Sequence, residues 1–79
     1  MDYLNRFVRD PKVSGGEPVI RGTRVTLRTV LASLAEGAGA SEILADFPTL
    51  SEEDLRAVIA FAAAAAADDL PIPEVPAGV

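Results

Sequence analysis

The segment from residue 15 to residue 24 limits the fold most, because its glycines and proline are best explained by the geometry of a hairpin. Its ten residues, GGEPVIRGTR, include three glycines, one proline and two arginines. Glycine weakens regular structure through its conformational freedom, and proline has no amide proton to donate. Val19 and Ile20 before a glycine turn, with Val25 after it, therefore predict a short β-hairpin in which Pro18 takes an edge position.

A weaker strand pattern precedes this segment. Residues 4–8 alternate between apolar and polar side chains, and a turn at Asp10 and Pro11 follows them. Two short strands are marginally stable by themselves, so we expect this part of the chain to pack against helices or another chain.

Three helix patterns follow the hairpin. The first has apolar residues at i, i+3, i+4 and i+7, with Thr26 as N-cap and with Gly37 and Gly39 as the stop signals. The second runs from Ser41, as N-cap, to Phe47 and is ended by Pro48. Their expected buried residues are Leu27, Val30, Leu31 and Leu34 in the first helix, and Ile43, Leu44 and Phe47 in the second.

The third helix has the clearest start signal. Ser51 with Asp54 three residues later resembles a capping box, and Leu50 with Leu55 occupies the two positions of a hydrophobic staple. Alanines extend this helix to residue 67 at low entropic cost. Its expected core stripe consists of Leu55, Val58, Ile59 and Ala62.

These patterns predict one mainly α domain over residues 1–69. A β-hairpin head (residues 1–26) precedes three helices (residues 27–67), and prolines make residues 70–79 an extended tail. A short turn joins the last two helices, which favours a helix-turn-helix over a plain three-helix bundle. Periodicity does not separate these two arrangements.

Composition excludes several classes of function. The chain has no cysteine and no histidine, so we expect no metal site and no cofactor. The remaining proton-transfer candidates are carboxylates, Tyr3 and Lys12, and we expect no enzyme and no catalytic residue. The longest apolar run, residues 57–67, is shorter than the roughly 20 residues that span a bilayer. Without a signal pattern at residue 1, we expect a cytoplasmic protein that contacts no membrane.

Charge divides the chain into two parts. Residues 1–28 hold six basic and three acidic side chains, whereas residues 29–79 hold nine acidic and one basic. A helix-turn-helix reads DNA with the start of its second helix, but here that start is Glu52, Glu53 and Asp54. The acids are repelled by phosphates and are explained by helix capping.

The head offers the better nucleic-acid surface. Arg21 and Arg24 lie on the predicted hairpin and Arg28 in the first turn of the first helix. A two-stranded ribbon fits the major groove of DNA, and ribbon-reading dimers are known. The competing interpretation is that these arginines form surface ion pairs with the acidic helices.

Several motifs resemble the signature of the domain-of-unknown-function 433 (DUF433) family. That pattern is roughly Asp-Pro, Gly-Gly-x-Pro-x-Ile-x-Gly-Thr-Arg, a helix, a glycine, and Tyr-Pro-x-Leu-Thr before the last helix. The likeness covers residues 6–65, with Phe47 where tyrosine is common and an unusually alanine-rich last helix. The matching residues are Asp10-Pro11, Gly15-Gly16, Pro18-Val19-Ile20, Arg21-Gly22-Thr23-Arg24-Val25, Gly37 and Phe47-Pro48-Thr49-Leu50-Ser51.

This resemblance implies a bacterial antitoxin of a type II toxin–antitoxin pair, with a homeodomain-like helix-turn-helix fold and a PIN-like ribonuclease toxin as partner. No basic residue follows Arg56, so the tail cannot place a cation in a carboxylate-lined active site. If a cation does block that site, it must come from the basic head. Otherwise we expect Leu70, Ile72 and Val75 to dock as an extended apolar segment, and the competing interpretation is a disordered terminus with no role. A homodimer that represses its own promoter through the head is the second expectation. The alternative is a protein-interaction module whose helix-turn-helix no longer binds DNA.

Overall fold

The computed structural model describes residues 3–68, which form three helices and a two-stranded antiparallel sheet. The mainly α architecture with an N-terminal hairpin is thus confirmed, whereas residues 70–79 of the expected tail lie outside the described part. In chain order the elements are a 3-10 helix (Tyr3–Arg6), β1 (Phe7–Arg9), a 3-10 turn (Ser14–Gly16), β2 (Pro18–Ile20), α1 (Leu27–Ala35), α2 (Ala40–Asp46) and α3 (Glu52–Asp68).

The hairpin pairs differently from the prediction. The main ladder joins β1 to β2, with Phe7 opposite Ile20. Val25 contributes only the acceptor for the Ile20 N–H, at 2.9 Å, beside an isolated bridge between Val19 and Thr26. The second pairing stops there because Thr26 already caps α1, so no extended residues remain to continue a strand.

The register explains why a proline is tolerated in β2. Arg21 N–H donates to the Arg6 carbonyl at 2.7 Å, which makes these two residues a hydrogen-bonded pair. Because hydrogen-bonded pairs alternate along an antiparallel ladder, the pair of Arg9 and Pro18 exchanges no such bonds. The missing amide proton of Pro18 therefore costs no bond to β1.

The turn after β2 is closed by a threonine. Thr23 Oγ1 donates to the Ile20 carbonyl at 2.8 Å and accepts from the Val25 N–H at 3.0 Å. Gly22 has a φ of 82°, a conformation that residues with a side chain rarely adopt. This geometry redirects the chain from the sheet into α1.

Gly22→Ala is expected to lower the free energy of unfolding by about 1 kcal/mol. A Cβ at this position would meet nothing within 4 Å, so the cost comes from backbone strain and not from a clash. Urea unfolding measures it. Gly39→Ser is the control, because Gly39 is extended at φ −79° and serine is a good N-cap. A stability equal to wild type in the Gly22→Ala protein would contradict the strain argument.

The cap of α2 differs from the prediction. The N-cap is Gly39, whose N–H donates to Glu42 Oε1 at 3.4 Å, whereas Ser41 lies inside the first turn. The Gly39 carbonyl already accepts the Ile43 N–H at 3.0 Å, so the helix starts two residues earlier than a serine cap would place it.

The start of α3 confirms the predicted capping box. Asp54 N–H donates to Ser51 Oγ at 3.1 Å, and Ser51 N–H donates to Asp54 Oδ2 at 3.0 Å. Leu50 and Leu55, the staple pair, are both buried. Thr26 likewise caps α1, accepting the Thr29 N–H at 3.1 Å.

One apolar core joins the head to the helices. Phe7 of β1 packs edge-on against Phe61 of α3, with ring centroids 5.9 Å apart. Ile59, predicted to be in the core, is 49% exposed, and Ala57 is buried instead. The buried face of α3 is centred nearer Val58 and Phe61, and each helical step turns the next side chain by about 100°. The core residues are Ile20, Leu27, Val30, Ile43, Leu50, Leu55 and Val58.

Candidate functional site

Three exposed arginines surround the turn between β2 and α1, and we call them the basic turn: Arg21, Arg24 and Arg28. Arg21 lies in the turn at Gly22, where the sequence predicts the turn, and Arg24 also lies in this turn and not on a strand of a ribbon. Arg21 Nε donates to the Asn5 carbonyl at 2.8 Å, which leaves its two terminal nitrogens for other acceptors.

Ion pairs within the fold leave most of the positive charge of the basic turn available to a bound ligand. Arg28 pairs with Glu17 at 3.1 Å, but its side chain is 83% exposed, and such pairs contribute little to stability. Arg24 makes no hydrogen bond or ion pair within residues 3–68. In that same part of the chain, no arginine of the basic turn pairs with an acid of the helices.

Arg6 makes a structural contact that the sequence patterns missed. Its Nη1 donates to Asp54 Oδ1 at 3.0 Å, and its Nη2 donates to Glu53 Oε2. Both hydrogen bonds raise the pKa of the Arg6 guanidinium above its usual value, and the bond to Asp54 has the larger effect. These residues are separated by more than 40 positions, so no local pattern could have indicated their contact.

Two of the three acidic side chains in the first turn of α3 therefore have structural roles. Asp54 is buried, bonds to Ser51 and accepts from Arg6 at the same time. Glu53 accepts from Arg6 as well. Carboxylates that complete a cap and hold the head have a structural role, and they repel phosphate where a DNA-reading helix would meet it.

An open apolar groove lies between α2 and α3, with a volume of about 330 Å³. Ile59, half exposed on α3, faces it together with Leu44 and Leu55. An apolar floor with polar groups at its edge is the usual composition of a protein-binding surface. The lining of this α2–α3 groove comprises Ala40, Ser41, Leu44, Glu52, Leu55, Arg56 and Ile59.

A second groove, of about 280 Å³, lies beside the sheet. Leu4, 58% exposed, forms part of its wall, and Phe61 of α3 forms another part. We call it the β1–α3 groove, and its lining consists of Leu4, Phe7, Val8, Arg9, Pro18, Leu27 and Phe61.

Other kinds of site find no support in residues 3–68. That part of the chain contains no cluster of three acidic side chains placed to hold a metal ion. None of its helices has the length and apolarity needed to cross a bilayer. The predicted partner-binding residues Leu70, Ile72 and Val75 lie outside it.

The fold and its surfaces define a class: a small, mainly α domain with an N-terminal hairpin, a basic turn and exposed apolar grooves. Residues 8–62 match the family described as "Protein of unknown function (DUF433)", and the chain belongs to that family. A crystal structure of a DUF433 member protein from Anabaena variabilis has a TM-score of 0.69 and 34% identity, covering 81% of this chain and 63% of that one.

A curated relative extends well beyond the matched region. Uncharacterized protein y4eO of Sinorhizobium fredii is 41% identical over 54 residues, which are 68% of this chain and 24% of that protein. The chain thus spans about a quarter of the length of this relative and less than two thirds of the Anabaena protein.

Proposed function

We propose that the chain is the antitoxin of a type II toxin–antitoxin pair, which binds and inhibits a PIN-like ribonuclease. The α2–α3 groove carries this proposal. It exposes Ile59 beside Leu44, with Glu52 and Arg56 at the edge, and an apolar centre with a polar rim is the arrangement found in protein–protein interfaces. The apolar residues Leu70, Ile72 and Val75, which follow the described part of the chain, would add to the contact with the toxin.

We further infer that α2 and α3, with α1 before them, form a homeodomain-like helix-turn-helix whose second helix does not read bases. The acids at the start of α3 support this, because they hold the capping box and Arg6. Promoter DNA would then be contacted by the basic turn, in which Arg24 is unpaired within residues 3–68.

The competing function is a protein-interaction module that binds no DNA. It is favoured by the same acidic helix start and by the hydrogen bond that holds Arg21 against the Asn5 carbonyl. Both functions use the α2–α3 groove, so they differ only in what the basic turn does.

Ile59→Asp tests the groove. A charge buried against an apolar partner surface is expected to weaken toxin binding at least 30-fold, which is about 2 kcal/mol. Co-purification with the nuclease from the neighbouring gene, and inhibition of its RNA cleavage, provide the measurements. Ala32→Asp, an equal charge change at an exposed position of α1, is the control. Equal inhibition by both variants would refute the proposed binding site.

Removal of residues 69–79 tests the expected contribution of the tail. Toxin inhibition should be lost while the helical circular dichroism signal persists, because the described core involves only residues before them. If the shortened chain inhibits the nuclease as well as the full chain, Leu70, Ile72 and Val75 do not contribute to binding.

Combining Arg21→Ala with Arg24→Ala tests the basic turn. Loss of two phosphate contacts should weaken operator binding and reduce its salt slope by about 2 per copy. Fluorescence anisotropy at several salt concentrations measures both effects, and Arg56→Ala on α3 is the matched control. Unchanged binding and slope would favour the module that binds no DNA.

A further inference from the structure

The outer edge of β1 has no partner within residues 3–68. There β1 pairs with β2 alone, and the only further bridge lies on the other side of β2. The backbone groups of successive residues in a strand point to opposite sides. Because the Arg6 carbonyl accepts the Arg21 N–H, the N–H and C=O groups of Phe7 and Arg9 point away from β2. An open edge of this kind is a template for another strand.

The surface around this edge is apolar. The β1–α3 groove runs along β1, and Leu4 at its wall is the most exposed large apolar residue in residues 3–68. Val8 and Phe7 are only half-buried. A strand added at the edge would bond to the open backbone groups and cover part of this surface.

We propose that the added strand is β1 of a second copy, so that two hairpins form a continuous four-stranded antiparallel sheet. With Val8 on the two-fold axis, the Arg9 N–H of each copy donates to the Phe7 carbonyl of the other. This register places two β-branched valines opposite each other, which is a favourable cross-strand pair, while the Arg9 side chain keeps its hydrogen bond to the Gly16 carbonyl of its own copy. An axis at Arg9 would place like charges opposite each other.

The contact is short, so the dimer is expected to be weak, with a dissociation constant on the order of micromolar. Residues 1–28 of each copy have a formal charge of +3, and the whole chain has −5. Both values oppose self-association, and added salt should therefore strengthen the dimer by screening this repulsion.

The dimer bears on one part of the proposed function, the binding of promoter DNA, because it would place two basic turns on one assembly. Its own evidence is the strand edge, and its test needs neither toxin nor DNA. A monomer that inhibits the nuclease would refute the dimer alone. A β1 dimer without inhibition would refute the antitoxin role alone.

Arg9→Pro against Arg9→Ala separates the backbone edge from the side chain. Proline removes the outward N–H but no bond to β2, whereas alanine keeps this donor. Sedimentation equilibrium over a concentration series should show at least a 10-fold weaker dimer for Arg9→Pro and less than a 3-fold change for Arg9→Ala. Circular dichroism checks the fold of each variant. A chain that is monomeric throughout the series, or equal effects of both variants, would overturn the proposal.

A disulfide test covers the case in which Arg9→Pro does not fold. The chain has no cysteine, so Val8→Cys introduces a single thiol. On the two-fold axis its Cα atoms would lie about 4.5 Å apart, within disulfide range. Val8→Cys should form a covalent dimer under mild oxidation much faster than Arg24→Cys, an exposed control outside β1. Equal rates would exclude this register.

Discussion

Ile20→Ala is expected to lower the free energy of unfolding by about 3 kcal/mol, the usual cost of a large apolar deletion in a close-packed core. Ile20 is fully buried, pairs with Phe7 across the sheet and packs in the cluster that α1, α2 and α3 share. A domain of this size has a total stability of roughly 5–10 kcal/mol, so the variant should lose a large part of it.

The measurement distinguishes an integral head from an appended one. Urea unfolding followed by circular dichroism reports mainly on the helices, which Ile20 contacts without belonging to any of them. Ile59→Ala is the matched control, because it removes the same atoms from a side chain that is 49% exposed, and it should cost less than about 1 kcal/mol. If both variants unfold at the wild-type urea concentration, the head does not stabilise the helices.

Asp54→Ala is expected to destabilise the fold by about 2 kcal/mol. The carboxylate accepts from the Ser51 N–H at the helix cap and from Arg6 of the head, and alanine satisfies neither donor. Because Asp54 is buried, water replaces these bonds incompletely. Chemical denaturation measures the loss.

Glu52→Ala serves as the control for Asp54→Ala, since it removes the same charge from the same helical turn at an exposed position. It should lose only the favourable interaction with the helix dipole, about 0.5 kcal/mol. Combining Arg6→Ala with Asp54→Ala then tests the link to the head: the second substitution should have a smaller effect in the presence of the first. Strictly additive effects would show that the contact contributes nothing.

Local signals predicted the helical part well, because each is encoded within a few residues. The Ser51–Asp54 box and the Thr26 cap are separated from their partners by three positions, and the structure contains both. The weaker prediction for α2 failed at its cap because glycine, with its unrestricted φ and ψ, left serine as the stronger local signal.

Long-range contacts could not be predicted in the same way. Two extended segments lie near β2, namely β1 and the residues at Val25 and Thr26. Only β1 is long enough to form a ladder with β2, because Thr26 already caps α1. The exposure of Ile59 depends on where α2 crosses α3, since periodicity identifies an apolar stripe but not its centre. The arginines of the basic turn could be identified from the sequence, but their contacts with Asn5 and Glu17 could not, because these depend on how the chain folds.

The contact between Arg6 and Asp54 also sets an order of events during protein synthesis. The two residues are separated by 48 positions, and a ribosome adds roughly 5–20 residues per second. Arg6 thus waits several seconds for the carboxylates that hold it, and the Phe7 ring waits longer still for Phe61. The N-terminal strand of this domain is therefore made before the helices that hold it and is among the last of its elements to reach its final position, and until then it is open to any other protein that offers an apolar surface.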